Sequence, residues 1–185
     1  MQTRELTRRQ LIKTGAAAII GAAAAPSSLM ATPGVSAGQP RSLGLYALHT
    51  GERLKTTYWA DGEYLLPALE EINYLLRDHR ANEVKTIDVN LLDLLERLHR
   101  QLETREPYHV ISGYRTAATN AALNAQSEGV ARHSLHVQGM AADIRVPGRA
   151  LPTLHRTATS LRGGGVGYYP RSDFVHVDVG RVRYW

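Results

Sequence analysis

The run Ser134-Leu-His136-Val-Gln-Gly139-Met-Ala-Ala-Asp143, taken with Asp173-Phe-Val-His176, holds the residues best suited to chemistry in this chain. His136, Asp143 and His176 offer two imidazoles and a carboxylate, a donor set that suits zinc. A catalytic zinc takes three protein ligands and keeps a fourth position open for water. Asp173, three residues before His176, adds a carboxylate that can take a proton from that water. Asp178, two residues beyond His176, can accept a hydrogen bond from a ligand imidazole. Gly139 lets the chain double back between His136 and Asp143.

Each of these residues also has a plainer reading. The chain has eight histidines, and His49, His79, His99, His109, His133 and His155 suit surface or packing positions. His133 rivals His136 but lacks the matching spacing to a downstream carboxylate. Asp143 lies in an apolar stretch, where an unpaired carboxylate is costly. A partner such as Arg145, a backbone cap or a metal would each account for it. Asp173 can be a turn residue after Pro170-Arg171-Ser172. Arg115, in Ser112-Gly-Tyr-Arg115, can bind a carboxylate or an oxyanion, or can form an ordinary surface salt bridge. There is no cysteine, so disulfides and thiolate metal sites are excluded and His, Asp and Glu remain as the ligand pool. No Gly-rich phosphate loop, serine elbow or His-Glu-x-x-His pattern is present.

The elements that must position these groups follow from periodicity. In Met140 to Val146, Met140, Ala142, Ile144 and Val146 take one face of a strand and Ala141, Asp143 and Arg145 the other. In Phe174 to Val179, Val175, Val177 and Val179 form an apolar face, with Phe174, His176 and Asp178 opposite. Asp143 and His176 converge if these two strands are neighbours. Ser42–Leu48 and Glu52–Trp59 flank His49-Thr50-Gly51 and read as a β-hairpin. Leu65 to Arg77 has helical apolar spacing. Asp88 or Asn90 caps a second helix carrying Leu91, Leu92, Leu94, Leu95, Leu98 and Leu102. Tyr108 to Ser112 is a short strand, and Thr116 caps an Ala-rich helix ending near Gly129.

The 185-residue chain has room for one domain, and its formal charge is +5. That excess sits largely in Arg4, Arg8, Arg9 and Lys13; without the first thirteen residues, 18 basic side chains face 16 acidic ones. A nearly balanced body gives no nucleic-acid footprint. Thr7-Arg8-Arg9-Gln10-Leu11-Ile12-Lys13, followed by the apolar run Gly15 to Ala25 and small residues at Leu29-Met30-Ala31 or Val35-Ser36-Ala37, reads as a twin-arginine export signal. The apolar run is short for a bilayer span. Residues 1–37 are thus expected to be signal peptide and linker, with one domain over 38–185 working in the bacterial periplasm or envelope.

The motif Ser-x-His-x-x-Gly-x-Ala-x-Asp followed by Asp-x-x-His resembles the zinc D-Ala-D-Ala metallopeptidase family. The exported, YcbK-like (MepK) murein endopeptidase branch is the nearer likeness, from the twin-arginine signal through Ser112–Arg115 to Gly180–Trp185. The resemblance implies an α+β fold with a small antiparallel sheet carrying the zinc site and helices packed on its other face. It implies one Zn2+ per chain on His136, Asp143 and His176, and Asp173 as acid/base where many members have Glu, with Asp178 as the runner-up. It also implies Arg115 as the substrate-orienting arginine and Ser134 as a local support or substrate contact. The expected reaction is hydrolysis of peptide bonds in peptidoglycan stems or crosslinks by a monomer with no nucleic-acid partner and no lasting membrane span. The alternatives are a D,D- or L,D-carboxypeptidase and a non-catalytic, zinc-stabilised peptidoglycan-binding module.

Overall fold

The computed structural model of the protein describes residues 38–126 and 130–185. The expected export signal, its cleavage sites and the end of the Ala-rich helix near Gly129 lie outside the described residues. The architecture is α+β. Eight strands form one open sheet in the order β3-β2-β1-β4-β5-β7-β6-β8. They are β1 (Arg41–Ala47), β2 (Arg53–Ala60), β3 (Glu63–Tyr64), β4 (Tyr108–Ser112), β5 (Ala141–Arg145), β6 (Gly165–Tyr169), β7 (Phe174–Asp178) and β8 (Arg183–Tyr184). The sheet is larger than the small antiparallel one expected, and it is mixed: β1 runs parallel to β4, and β6 to β8. The block β4-β5-β7-β6 that carries the candidate ligands is antiparallel.

Helices α1 (Leu66–Leu75), α2 (Val89–Gln101) and α4 (Leu151–Ser160) pack against β2, against β1, and against β6 and β7, respectively. Their apolar stripes join the inward strand residues in one core that includes Leu43, Leu45, Ile72, Leu92, Leu95, Leu98, Ile144, Val175 and Val177. Asp88 is the N-cap of α2, its carboxylate accepting from the Asn90 amide at 2.9 Å. Thr116 does the same for α3 (Ala117–Gln126), accepting from the Thr119 amide at 3.1 Å. These caps satisfy amides that the first helical turn leaves without partners.

The sequence pattern marks no element between Val146 and Phe174, yet α4 and β6 lie there. In α4 only Leu154 and Ala158 are buried, too few apolar residues to show a helical period. The β6 sequence Gly-Val-Gly-Tyr-Tyr has two glycines, which weaken a strand signal. Among the described residues, no helix is long and apolar enough to cross a membrane.

Candidate metal centre

Strand pairing brings the two halves of the motif together. β5 and β7 are antiparallel neighbours with Asp143 directly opposite His176. Ala142, Ile144, Val175 and Val177 enter the core on one face. Period-two alternation therefore turns Asp143 and His176 out together on the other face. His136 arrives from a single 3-10 turn, Leu135–Gln138, capped by Ser134, whose hydroxyl accepts from the His136 amide at 3.3 Å. Gly139 ends the turn with φ of 72°. A Cβ there would stand 2.6 Å from the Thr86 carbonyl oxygen, so glycine is required by both conformation and space. The Gly139 carbonyl accepts from the Asp88 amide at 3.0 Å, which ties this turn to the start of α2.

His136, Asp143 and His176 are buried, and one ligand atom from each lies within 4.8 Å of the other two. His136 Nε2 is 3.2 Å from Asp143 Oδ1 and 3.2 Å from His176 Nδ1, and His176 Nδ1 is 2.9 Å from Asp143 Oδ1. The outer ring nitrogens assign the tautomers. His136 Nδ1 lies 2.6 Å from the Gly113 carbonyl, which can only accept. His176 Nε2 lies 3.0 Å from the Asp178 carboxylate. With those nitrogens donating outward, His136 Nε2 and His176 Nδ1 turn lone pairs toward Asp143. Three acceptor atoms facing one another in a buried site form a donor set that fits a divalent cation.

Burial and the neighbouring charges act on each of the three groups differently. Burial keeps His136 below its ordinary pKa. Burial also opposes charge on His176, but the Asp143 and Asp178 carboxylates outweigh it and push His176 up. Burial would raise Asp143, yet His136 and His176 hold it well below the usual carboxylate range. Arg115 Nη2 donates to Asp143 Oδ2 and lies 3.2 Å from His136 Nε2, while its Nε donates to Ser112 Oγ at 2.7 Å. Asp143 is thus paired with Arg115, not with Arg145.

Asp178 is fully buried and accepts five hydrogen bonds. They come from His176 Nε2, both Arg183 terminal nitrogens, and the Gly165 and Gly180 amides. It is occupied as the anchor of His176. Asp173 is exposed, sits at φ of 52° in the turn before β7, and pairs with Arg145 at 2.8 Å. It does not line the cavity over the three candidate ligands, although Ser172 and Phe174 on either side do.

That cavity has a volume of about 610 Å³. Its wall includes His49, Arg80, Ser134, Tyr169, Phe174 and Trp185. Trp185 packs on His176 with ring centroids 5.3 Å apart and donates from Nε1 to the Tyr169 hydroxyl at 2.8 Å. Gly167 makes room for it, since a Cβ there would stand 2.7 Å from the indole. Sequence reasoning misses Gly113, Arg183 and Trp185 as supports of the site. A backbone carbonyl leaves no mark in a motif. The alternation of Arg183 and Trp185 with Tyr184 was the available signal for the other two.

A family model described as peptidoglycan L,D-endopeptidase MepK matches residues 35–185. The chain is 45% identical over 181 residues to peptidoglycan L,D-endopeptidase MepK of Escherichia coli strain K12, covering 98% of each chain. It is 40% identical over 179 residues to the probable peptidoglycan L,D-endopeptidase MepK of Haemophilus influenzae, covering 96% of this chain and 95% of the relative. The fold, the His-Asp-His cluster and these full-length matches together make the chain a member of the MepK peptidoglycan L,D-endopeptidase family.

Proposed function

We propose that this protein is a zinc-dependent peptidoglycan endopeptidase that hydrolyses peptide crosslinks of the bacterial cell wall after export by the twin-arginine route. The observation that carries the reading is the convergence of His136 Nε2, Asp143 Oδ1 and His176 Nδ1 beneath a 610 Å³ cavity. The relatives named as L,D-endopeptidases support the substrate class. The protein acts as a monomer in the periplasm or envelope.

His136, Asp143 and His176 would hold one zinc per chain. Bound there, zinc supplies a Lewis acid that polarises the scissile carbonyl and lowers the pKa of the attacking water toward about 7. The chain's own residues do the remainder. Gly113 and Asp178 fix the two imidazoles. Arg115 steadies Asp143 and places positive charge beside the carbonyl oxygen as it becomes negative. Ser134 holds the His136 turn and faces the cavity as a substrate contact. Asp173 is the assigned base: its carboxylate would have to leave Arg145 and turn into the cavity to take the water's proton and deliver it to the leaving amine. Asp178 cannot take this part, because its lone pairs are committed to five donors.

The carboxypeptidase reading needs a fixed cation to cap a substrate C-terminus. Arg115 is the sequence candidate, but it is buried and engaged by Asp143 and Ser112. This favours endopeptidase action. The test is a time course of the zinc-loaded mature protein on L,D-crosslinked muropeptide dimers and on pentapeptide monomers. Dimers are expected to fall to monomers while terminal D-Ala is retained. Faster release of terminal D-Ala would overturn the reading. Asp173→Asn is expected to retain zinc and lose about 10²–10⁴-fold in turnover; near-normal turnover would move the base elsewhere.

A further inference from the structure

We propose that Arg80, with the stacked His49–His79 pair beside it, forms a subsite for a substrate carboxylate on the wall of the cavity over the candidate ligands. This rests on the peptidase reading above and names how the substrate is held. Three guanidinium groups line the cavity. Arg115 is paired with Asp143 and Arg183 with Asp178. Arg80 is exposed and has no ion pair among the described residues. Among the described residues it is therefore the cavity arginine not already paired with a carboxylate.

Its backbone is fixed in a way that a solvent-facing arginine does not need. Asp78 is 1% exposed. Its Oδ1 accepts from the Arg80 and Ala81 amides at 3.0 and 3.4 Å, and its Oδ2 accepts from the Thr116 amide at 2.8 Å. One buried carboxylate thus holds the Arg80 loop against the segment that carries Arg115. The Tyr114 amide donates to the Leu76 carbonyl at 2.8 Å. Gly113 permits that approach, since a Cβ would stand 2.5 Å from the same oxygen. On the other side, His79 stacks on His49 of the β1–β2 turn, with ring centroids 4.4 Å apart and planes 16° apart. Arg77 ties the same region to Glu52 at 2.9 Å.

The result is a preset cationic corner on the cavity that holds the candidate ligands. A guanidinium fork matches a carboxylate. Peptidoglycan stems carry free carboxylates next to their peptide bonds, and no phosphate. A carboxylate held at this corner would set the register of the scissile bond over the metal.

The test compares a crosslinked muropeptide dimer with its counterpart in which the carboxylates flanking the scissile bond are primary amides. For the unaltered protein, kcat/KM should favour the free-carboxylate form by about tenfold, as expected for one charge-assisted contact. Arg80→Gln should bring that ratio close to one, chiefly through KM, and Arg80→Lys should restore part of it. Arg97→Gln, an exposed arginine off the cavity, should leave the ratio as it is. Melting temperature and zinc content should be the same in all three variants. A ratio near one in the unaltered protein, or a ratio that survives Arg80→Gln, would overturn the subsite. If neither dimer is cleaved, the peptidase reading itself fails. Calorimetric binding of a free and an amidated stem tetrapeptide to the zinc-loaded protein then judges the subsite without turnover, by the same ratio.

Discussion

Asp178→Asn should weaken metal binding without emptying space in the fold. The side chain is 0% exposed, and Asn is nearly the same shape. Its remaining carbonyl oxygen can still accept from the Gly165 and Gly180 amides, each now 2.9 Å from Oδ1. The new NH2 would replace Oδ2, which lies 3.0 Å from His176 Nε2 and 2.6 Å from Arg183 Nη2. Donor would then face donor at both contacts. His176 can relieve its conflict by moving its proton to Nδ1, and that proton would occupy the lone pair aimed at Asp143. Loss of a carboxylate behind a ligand imidazole costs about 10–100-fold in metal affinity. Breaking a fully buried ion pair costs about 3–5 kcal/mol. The Arg183 side chain is 31% exposed and can turn to water, so about 2 kcal/mol is expected here. Zinc affinity measured against a chromophoric chelator, with a thermal melt of the metal-free protein, separates the two effects. Trp185, 5.3 Å from the His176 ring, supplies a fluorescence report of occupancy. Arg183→Lys is the control: it should lower stability while affinity stays within a few-fold. Wild-type zinc affinity in Asp178→Asn would refute the tautomer argument.

The double variant His136→Ala, His176→Ala should lose bound zinc by metal analysis, and full occupancy would remove these residues as ligands. Asp78 should make stability acid-sensitive. Burial would raise its pKa, but the Thr119 hydroxyl and the amides of Thr116, Arg80 and Ala81 lower it from 3.8 to about 2. Because the folded value is depressed, the stabilisation is complete above about pH 4 and is lost as pH falls toward 2. It amounts to about 2 kcal/mol and should be absent from urea titrations of Asp78→Asn over that range. Gly139→Ala should cost about 2 kcal/mol or more, from the left-handed backbone and the contact with Thr86. A melting temperature unchanged by that substitution would contradict the geometry of the turn.

The site was legible where chemistry followed strand alternation. Asp143 and His176 sit on the polar face of strands whose other face is Ala142, Ile144, Val175 and Val177, and that pattern needed only the pairing of β5 with β7 to bring them together. The hairpin, α1, α2, β4 and the cap of α3 were legible for the same reason, each having a clear period or a capping side chain. The parallel joins of the sheet were not, because parallel strands meet through long crossovers that leave no local signal. The partner of Asp143 was also hidden. Arg145, two residues along the same strand, looks closer in sequence, but it points past Asp143 toward Asp173. A bulge in β4 between Val110 and Ser112 leads into the segment that delivers Arg115 instead.

The charges around the three candidate ligands nearly cancel before any metal is counted. Asp143 is matched by Arg115, and Asp178 by Arg183. His136 is held on a neutral carbonyl, so its Nε2 adds a lone pair and no charge. A divalent ion entering such a framework would keep most of its positive charge, because Asp143, the one carboxylate among the three candidate ligands, is already shared with Arg115. Structural zinc sites instead surround the metal with thiolates that neutralise it. Charge retained in this way would let the cavity attract anions and stabilise negative charge that develops on a carbonyl oxygen. It also sets a limit on where substrate carboxylates can go. A carboxylate drawn onto the metal would block the reaction, so a second cation away from it has a use. Arg80, its backbone fixed by Asp78 on the cavity wall, would hold such a group off the metal and keep the peptide bond in its place.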